Sequence, residues 1–313
     1  MISASGLRKS FVAGGSTVEA VRGIDVEVRK GEYFGFLGPN GAGKSSTMRM
    51  IAAVSPVSGG SLKILGLDPA KDGPEIRARI GVCPQEDTLD TELNVRDNLI
   101  IYGRYFGLSR TEVKQRAEEL LEFVQLTEKA TAKVDDLSGG MKRRLTIARS
   151  LINKPEVLLL DEPTTALDPQ ARHVVWDRLF RLKQQGVTLV MTTHYMDEAE
   201  QLCDRLVVMD KGLIVADGSP TALIREYSTR EVAELRFRPE DLHSGGNEQI
   251  AAKVEDLAER VEVLPDRLLL YSSDGEETIA KVHERGLEPV MSLVRRSTLE
   301  DVFLRLTGRT LVD

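Results

Sequence analysis

The run Gly38-Pro39-Asn40-Gly41-Ala42-Gly43-Lys44-Ser45 constrains this chain more than any other segment. It follows at once on Tyr33-Phe34-Gly35-Phe36-Leu37, an apolar stretch that reads as a strand buried on both faces, and it runs into helical spacing over 43–53. Strand before and helix after is the context that a G-x-x-x-x-G-K-[ST] loop demands. Glycines let the backbone curl so that its N–H groups point inward at phosphate oxygens. The helix N-terminus adds a partial positive charge, Lys44 places an ammonium on the outer phosphates, and the Ser45 hydroxyl can ligate Mg²⁺. Gly38 through Ser46 are therefore the candidate phosphate-binding residues, Ser46 among them. A plain glycine turn is the bland alternative, and the flanking strand and helix weigh against it.

A second element narrows the chemistry. Val157-Leu158-Leu159-Leu160 is an apolar strand that ends in Asp161-Glu162. Beside a phosphate loop, Asp161 can hold Mg²⁺ through water, and Glu162 can orient or deprotonate the water that attacks a γ-phosphate. Alone, two acids at a strand end would be solvated turn residues.

Further strands suit 80–83, 187–192 and 206–210, and alternation runs from Val18 to Val28. Helical spacing covers 94–106, 111–124 and 139–152. Strands alternating with helices imply an α/β fold with a mostly parallel sheet. After Tyr227 the pattern changes: strand over 231–238, loop over 243–247, helix over 249–258, strands over 261–264 and 267–272, helix over 276–285, strand over 288–294, helix over 299–306. That order suits a small α+β, ferredoxin-like unit. The division expected is a nucleotide-binding domain over 1–227 and an accessory or regulatory domain over 228–313.

The balance of 42 basic against 49 acidic residues, net −7 with a pI near 5.4, argues against a nucleic-acid partner. No apolar run approaches the about 18 residues that a membrane span needs, and 1–11 lacks the apolar core of a secretory signal. Any membrane role would depend on another chain. Cys83 and Cys203 fit no metal or redox spacing and read as reduced core residues.

The third element is Leu137-Ser138-Gly139-Gly140-Met141, opening a helix with the basic run Lys142-Arg143-Arg144 behind it. With the phosphate loop before it and Asp161-Glu162 after it, the chain resembles the ATP-binding cassette family over residues 1–227. Gln85 in Cys83-Pro84-Gln85 resembles the Q-loop glutamine, Ala166-Leu167-Asp168 the D-loop, and His194 in Thr192-Thr193-His194 the switch histidine. Phe11 stands where the family stacks an aromatic on adenine. Met141 replaces the commonest signature glutamine. That form, with Leu299-Glu300-Asp301-Val302-Phe303-Leu304 near the end, is similar to a branch of exporters that move drugs, lipo-oligosaccharides or lipids.

The resemblance implies a P-loop NTPase fold with a RecA-like core, an antiparallel β subdomain and an α-helical subdomain. It implies ATP and Mg²⁺ as ligands, with Ser45, Gln85 and Asp161 at the metal. Lys44, Gln85, Glu162 and His194 would carry hydrolysis. Ser138, Gly139 and Gly140 would serve ATP held by a second copy, and Asp168 would link the two sites. A permease on a separate chain would dock over 86–107, where Leu99-Ile100-Ile101-Tyr102 is the apolar patch to inspect, and would hold the subunit at the cytoplasmic face of the membrane. An importer ATPase and a non-transport cassette are the rival readings. The run Lys142-Arg143-Arg144 reads as a solvated helix face.

Overall fold

A computed structural model describes residues 1–13, 15–238 and 246–308, in two compact units that part at Ser219/Pro220. In the first unit, β1 (Ile2–Ala13) and β2 (Ser16–Val28) form a hairpin that β4 (Gly59–Ile64) extends into a three-stranded antiparallel sheet. The second sheet holds β3 (Tyr33–Leu37), β5 (Ile80–Cys83), β6 (Val157–Asp161), β7 (Thr188–Thr193), β8 (Arg205–Asp210) and β9 (Leu213–Gly218), in the order β5-β6-β7-β3-β8-β9. All neighbours are parallel except β8 and β9. Strand β1 went unread in the sequence because register shifts between Ala4 and Leu7 break its alternation.

Helices of this unit are α1 (Lys44–Ile51), α2 (Gly73–Arg79), α3 (Val95–Tyr105), α4 (Arg110–Phe123), α5 (Gly139–Ser150), α6 (Pro169–Gln184) and α7 (Met196–Leu202). Side-chain caps set several starts: Asn94 caps α3, Ser109 closes a capping box with Glu112 on α4, and Ser138 and Asp168 cap α5 and α6. Helices α3, α4 and α5 pack on one another, burying Leu99, Val113, Ala117, Leu121 and Leu145. Both free cysteines are buried, Cys203 beside Gly35.

The strand order positions the site. Leu37 pairs with Thr193, Asp161 with Thr192, and Cys83 with Leu160. The segments that leave β3, β7, β6 and β5 therefore emerge side by side at the carboxyl edge of the sheet, where open α/β sheets bind ligands. They are the glycine loop, Thr193-His194, Asp161-Glu162 and Pro84-Gln85.

The second unit opens with α8 (Pro220–Tyr227), which packs on α11 (Leu299–Thr307); Arg305 donates to the Tyr227 carbonyl at 2.9 Å. That packing places its start ahead of the break read near Tyr227. Between these helices run β10 (Glu231–Arg236), α9 (Gly246–Val254), β11 (Arg260–Val263), β12 (Leu268–Ser272), α10 (Gly275–Glu284) and β13 (Met291–Arg296). The sheet order β11-β12-β10-β13, antiparallel throughout, is two split β-α-β units, the ferredoxin-like arrangement. Ala233, Leu235, Leu268 and Leu270 meet Ile250, Val254 and Val282 on one face; Val232, Leu269 and Tyr271 meet Leu304 on the other. The loop expected over 243–247 lies mostly outside the described residues, and Gly246 and Asn247 open α9.

Asp301 ties α11 to this sheet. It accepts from Arg295 at 2.7 and 2.9 Å, from the Tyr271 hydroxyl at 2.8 Å and from Thr298 N at 2.8 Å. Burial opposes its ionisation, but Arg295 and the other donors outweigh it and hold the carboxyl below the ordinary value. Asp301→Ala strands the guanidinium and the hydroxyl together. The expected cost is about 3 kcal/mol, the low end for breaking a buried ion pair because Arg295 keeps 24% exposure, measured by urea unfolding. A change below about 0.5 kcal/mol contradicts this role for Asp301.

Candidate functional site

The glycine loop turns on backbone that only glycine supplies cheaply. Gly43 has φ of 101°, and a Cβ there would stand 2.4 Å from the Ala20 carbonyl oxygen. Gly38 lies as close to the Met209 carbonyl, at 2.3 Å for the added atom. Helix α1 starts behind this turn with no side-chain cap and no acid in its first turn, so its leading N–H groups are left for an outside acceptor. They open on a cleft of about 690 Å³ lined by Asn40 to Ser46, Gln85 and Glu162, with Thr17 to Ala20, Arg22 and Lys211 on its other wall.

Lys44 is 4% exposed and donates to the Gly38 and Pro39 carbonyls at 2.6 and 3.0 Å. Burial lowers its pKa below the ordinary lysine value, against the opposing pull of Glu162 and Asp161. A buried ammonium, uncapped helix N–H groups and a glycine cradle together fit the phosphates of a nucleotide. Ser45 Oγ donates to Asp161 Oδ1 at 3.3 Å, and Thr192 Oγ1 donates to that oxygen too. The hydroxyl, the carboxylate and the nearby Gln85 amide are the hard oxygen set that suits Mg²⁺.

Four side chains converge on Glu162. Gln85 Nε2 donates to Oε2 at 3.1 Å and Thr165 Oγ1 to the same oxygen at 3.0 Å. Lys44 Nζ stands 3.8 Å and His194 Nδ1 3.3 Å from Oε1. The His194 contact lacks hydrogen-bond geometry, and its ring lies 4.1 Å from that of Tyr195. Glu162 itself sits at φ 45°, a left-handed conformation that costs a non-glycine residue about 1–2 kcal/mol.

Other sequence-predicted residues sit elsewhere. Ser138 caps α5, accepting from Met141 N at 3.3 Å, with Gly139 and Gly140 in the first turn; none of the three lines the cleft. Asp168 caps α6, accepting from Ala171 N at 2.9 Å, and it is also outside the cleft wall. Phe11 pairs across the hairpin with Val18, which does line the cleft; its ring is 41% exposed and carries the Lys9 ammonium 4.9 Å from its centroid. In the 86–107 stretch, Leu99 is core and Ile101 is exposed.

The basic run departs from expectation. Arg143 is 4% exposed, while Lys142, facing Asp135 at 4.0 Å, and Arg144, donating to the Val124 carbonyl at 2.8 Å, are half-buried. The reason is helical phase: Arg143 falls on the face of α5 that packs against the sheet edge. Counted as a charge run, it gave no hint of this. Counted as position five of a helix whose residues Leu145, Ile147 and Ala148 are apolar, it would have.

Glu198 was also missed. Its side chain is fully buried, and Oε1 accepts from Thr164 Oγ1 at 2.8 Å and from Trp176 Nε1 at 3.2 Å. It thus ties the turn after Glu162 to α6 and α7. Burial raises its pKa, outweighing those hydrogen bonds.

A parallel sheet whose carboxyl edge gathers a glycine cradle, a buried lysine and an acid pair defines a P-loop nucleotide-binding ATPase. Residues 21–165 match the model of the ABC transporter family, and residues 247–308 match the C-terminal domain of the nodulation factor export protein NodI. Nod factor export ATP-binding protein I of Rhizobium sp. (strain N33) is 47% identical over 309 residues, covering 98% of this chain and 97% of its own. Its namesake from Paraburkholderia xenovorans (strain LB400) is 44% identical over 98% of this chain and 97% of its own. Among solved structures, the dimeric post-hydrolysis state of the ATP-binding cassette MJ0796 bound to ADP and Pi aligns at TM-score 0.65 and 27% identity, over 70% of this chain and 98% of its own. This chain belongs to the ABC transporter family, as an ATP-binding and ATP-hydrolysing subunit of an exporter. Among the described residues, no helix is long and apolar enough to cross a membrane.

The environment of Glu198 sets a pH dependence. Unfolded, its carboxyl loses a proton at the ordinary value of about 4.5; folded, it keeps that proton to higher pH. The stability held by the neutral form is complete below the unfolded value and drains away as pH rises through the folded one. Glu198→Gln keeps an acceptor oxygen and cannot titrate, so its melting temperature should fall less steeply above about pH 4.5 than that of the parent. Parallel curves would show that the fold does not raise the pKa of Glu198.

Proposed function

We propose that this chain hydrolyses Mg-ATP as one half of a pair of like subunits and thereby powers export of a lipo-oligosaccharide through a permease on a separate chain. The observation that carries the catalytic part is the convergence of Lys44, Gln85 and His194 on Glu162 at one sheet edge. The cargo and direction rest on the relatives named for Nod factor export and on the C-terminal match to NodI; an importer ATPase or a non-transport cassette would have no reason to carry that domain. The accessory unit is proposed to regulate or steady closure of the pair.

ATP would lie along the glycine loop, its phosphates against the Gly41 to Ser46 backbone and the Lys44 ammonium, with adenine on Phe11. Such stacking is worth about 1–3 kcal/mol and discriminates poorly between bases. Ser45, Asp161 and Gln85 would hold Mg²⁺, which supplies charge neutralisation at the outer phosphates. Glu162 would align the attacking water and take its proton, while Gln85 orients that water. His194 would steady the γ-phosphate as charge moves to the leaving oxygen.

Ser138, Gly139 and Gly140 are proposed to complete the site of a second copy, and Asp168 to join the two sites. Support comes from their position outside their own chain's cleft, with uncommitted N–H groups at the start of α5, and from the dimeric state of the MJ0796 cassette. The permease would enter a second cleft, of about 850 Å³, whose walls include Met48, Pro84, Gln85, Glu86, Tyr102 and Tyr105. Gln85 borders both clefts, so a segment seated there would touch the hydrolytic residues through it.

Glu162→Gln should keep ATP affinity and lower turnover by about 100-fold or more, because the amide cannot accept a proton while the cradle is intact. The variant should accumulate as an ATP-bound dimer on size exclusion. Hydrolysis at the parent rate would remove Glu162 from the mechanism. Ser138→Arg should instead leave nucleotide affinity in dilute protein within about twofold and cripple turnover in concentrated protein. Collapse of affinity in the dilute monomer would show that Ser138 serves its own site.

A further inference from the structure

Arg143 is a buried cation with no carboxylate partner among the described residues. Nε donates to the Pro163 carbonyl at 2.7 Å, Nη1 to those of Pro84 and Gln85, the latter at 3.3 Å, and Nη2 to those of Asp161 and Glu162 at 3.0 and 3.2 Å. Five N–H donors meet five main-chain carbonyls, which is the full capacity of a guanidinium. An ion buried on carbonyl dipoles alone is a costly arrangement unless every donor is met, and no other side chain can meet this set.

The carbonyls belong to two segments. Pro84 and Gln85 leave β5, while Asp161, Glu162 and Pro163 leave β6. Their side chains touch, Gln85 donating to Glu162. The Arg143 fork therefore sets the spacing of the two backbones on which that contact depends. Its own Cα lies in α5, about 7 Å along a continuous helix from the Ser138 cap at a rise of about 1.5 Å per residue.

We infer that Arg143 is a positioning residue that fastens the hydrolytic pair Gln85 and Glu162 to the helix whose first turn serves the partner's ATP. The inference rests on the function proposed above. When α5 is seated by nucleotide across the dimer, its fifth residue places Gln85 beside Glu162 in its own site. Turnover in each site then follows occupancy of the other through a rigid lever one and a half turns long. A point charge with three donors cannot span both segments, so lysine should not replace arginine here.

The test compares Arg143→Lys and Arg143→Gln with Glu162→Gln in the full-length chain, using ATP as the probe. Expected for Arg143→Lys is a kcat lowered about 30-fold with KM for ATP within about threefold, and an ATP-bound dimer that persists as it does in Glu162→Gln. Arg143→Gln should show the same split with a larger fall in kcat. Turnover within about twofold of the parent in either variant overturns the inference. Loss of ATP binding or of dimer trapping in both variants overturns it too, since Arg143 would then be a strut for the fold and no positioner. Failure of Glu162→Gln itself to trap a dimer would instead count against the proposed function.

Discussion

Everything at the catalytic edge is arranged around a buried lysine ammonium that borders the nucleotide cleft. Lys44 survives there because the glycine loop turns two of its own carbonyls onto Nζ and because Asp161 and Glu162 stand beyond. The loop can do so only while Gly38 and Gly43 pass so near the Met209 and Ala20 carbonyls that a Cβ on either would stand 2.3 or 2.4 Å from the oxygen. That close approach joins the two sheets, since Ala20 belongs to β2 and Met209 to β8. The two sheets and the phosphate cradle are thus one packing problem with one solution, and a side chain at either glycine would undo it.

A second layer lies directly behind the first and is made of groups that never face the cleft. Thr192 holds both Asp161 and the backbone of Glu162, Glu198 holds Thr164 and Trp176, and Arg143 holds the carbonyls on either side of the Gln85–Glu162 contact. Each is buried, and each spends its polar atoms on the main chain or on a neighbouring polar side chain. Groups of this kind convert flexible loop ends into fixed positions, which phosphoryl transfer needs because its catalysis is mostly placement and charge neutralisation. The left-handed backbone of Glu162 fits the same pattern: the strain is local and the surrounding hydrogen bonds hold it in place.

The second unit obeys a different economy. Its sheet is antiparallel, with α9 and α10 on one face and α11 on the other, where a polar tie joins helix to sheet. The Asp301, Arg295 and Tyr271 cluster provides it, reinforced by the Arg260 guanidinium 3.8 Å over the Tyr271 ring. Edge strand β13 keeps Met291 and Leu293 exposed, while Arg295 and Arg296 charge its far end.

Much of this could be read from residues alone because the signals were local. A loop that must curl, strands buried on both faces and helical apolar spacing each follow from short-range sterics and hydrogen bonding, and so the glycine loop, the Asp161-Glu162 strand end and helices α1, α3, α4 and α5 stood where spacing put them, while α2, α6 and α7 went unread. The strand-helix-strand-strand-helix-strand order after Tyr227 was legible for the same reason, as each element carries its own periodicity. What spacing could not supply was anything decided by contact between distant segments. The strand order that lines up four loop ends, the bulges that hid β1, the packing of α8 on α11, and the burial of Arg143 and Glu198 all arise when segments tens of residues apart press together. A charged side chain reads as solvated until a partner surface of carbonyls is brought to it, and only the tertiary fold brings it there.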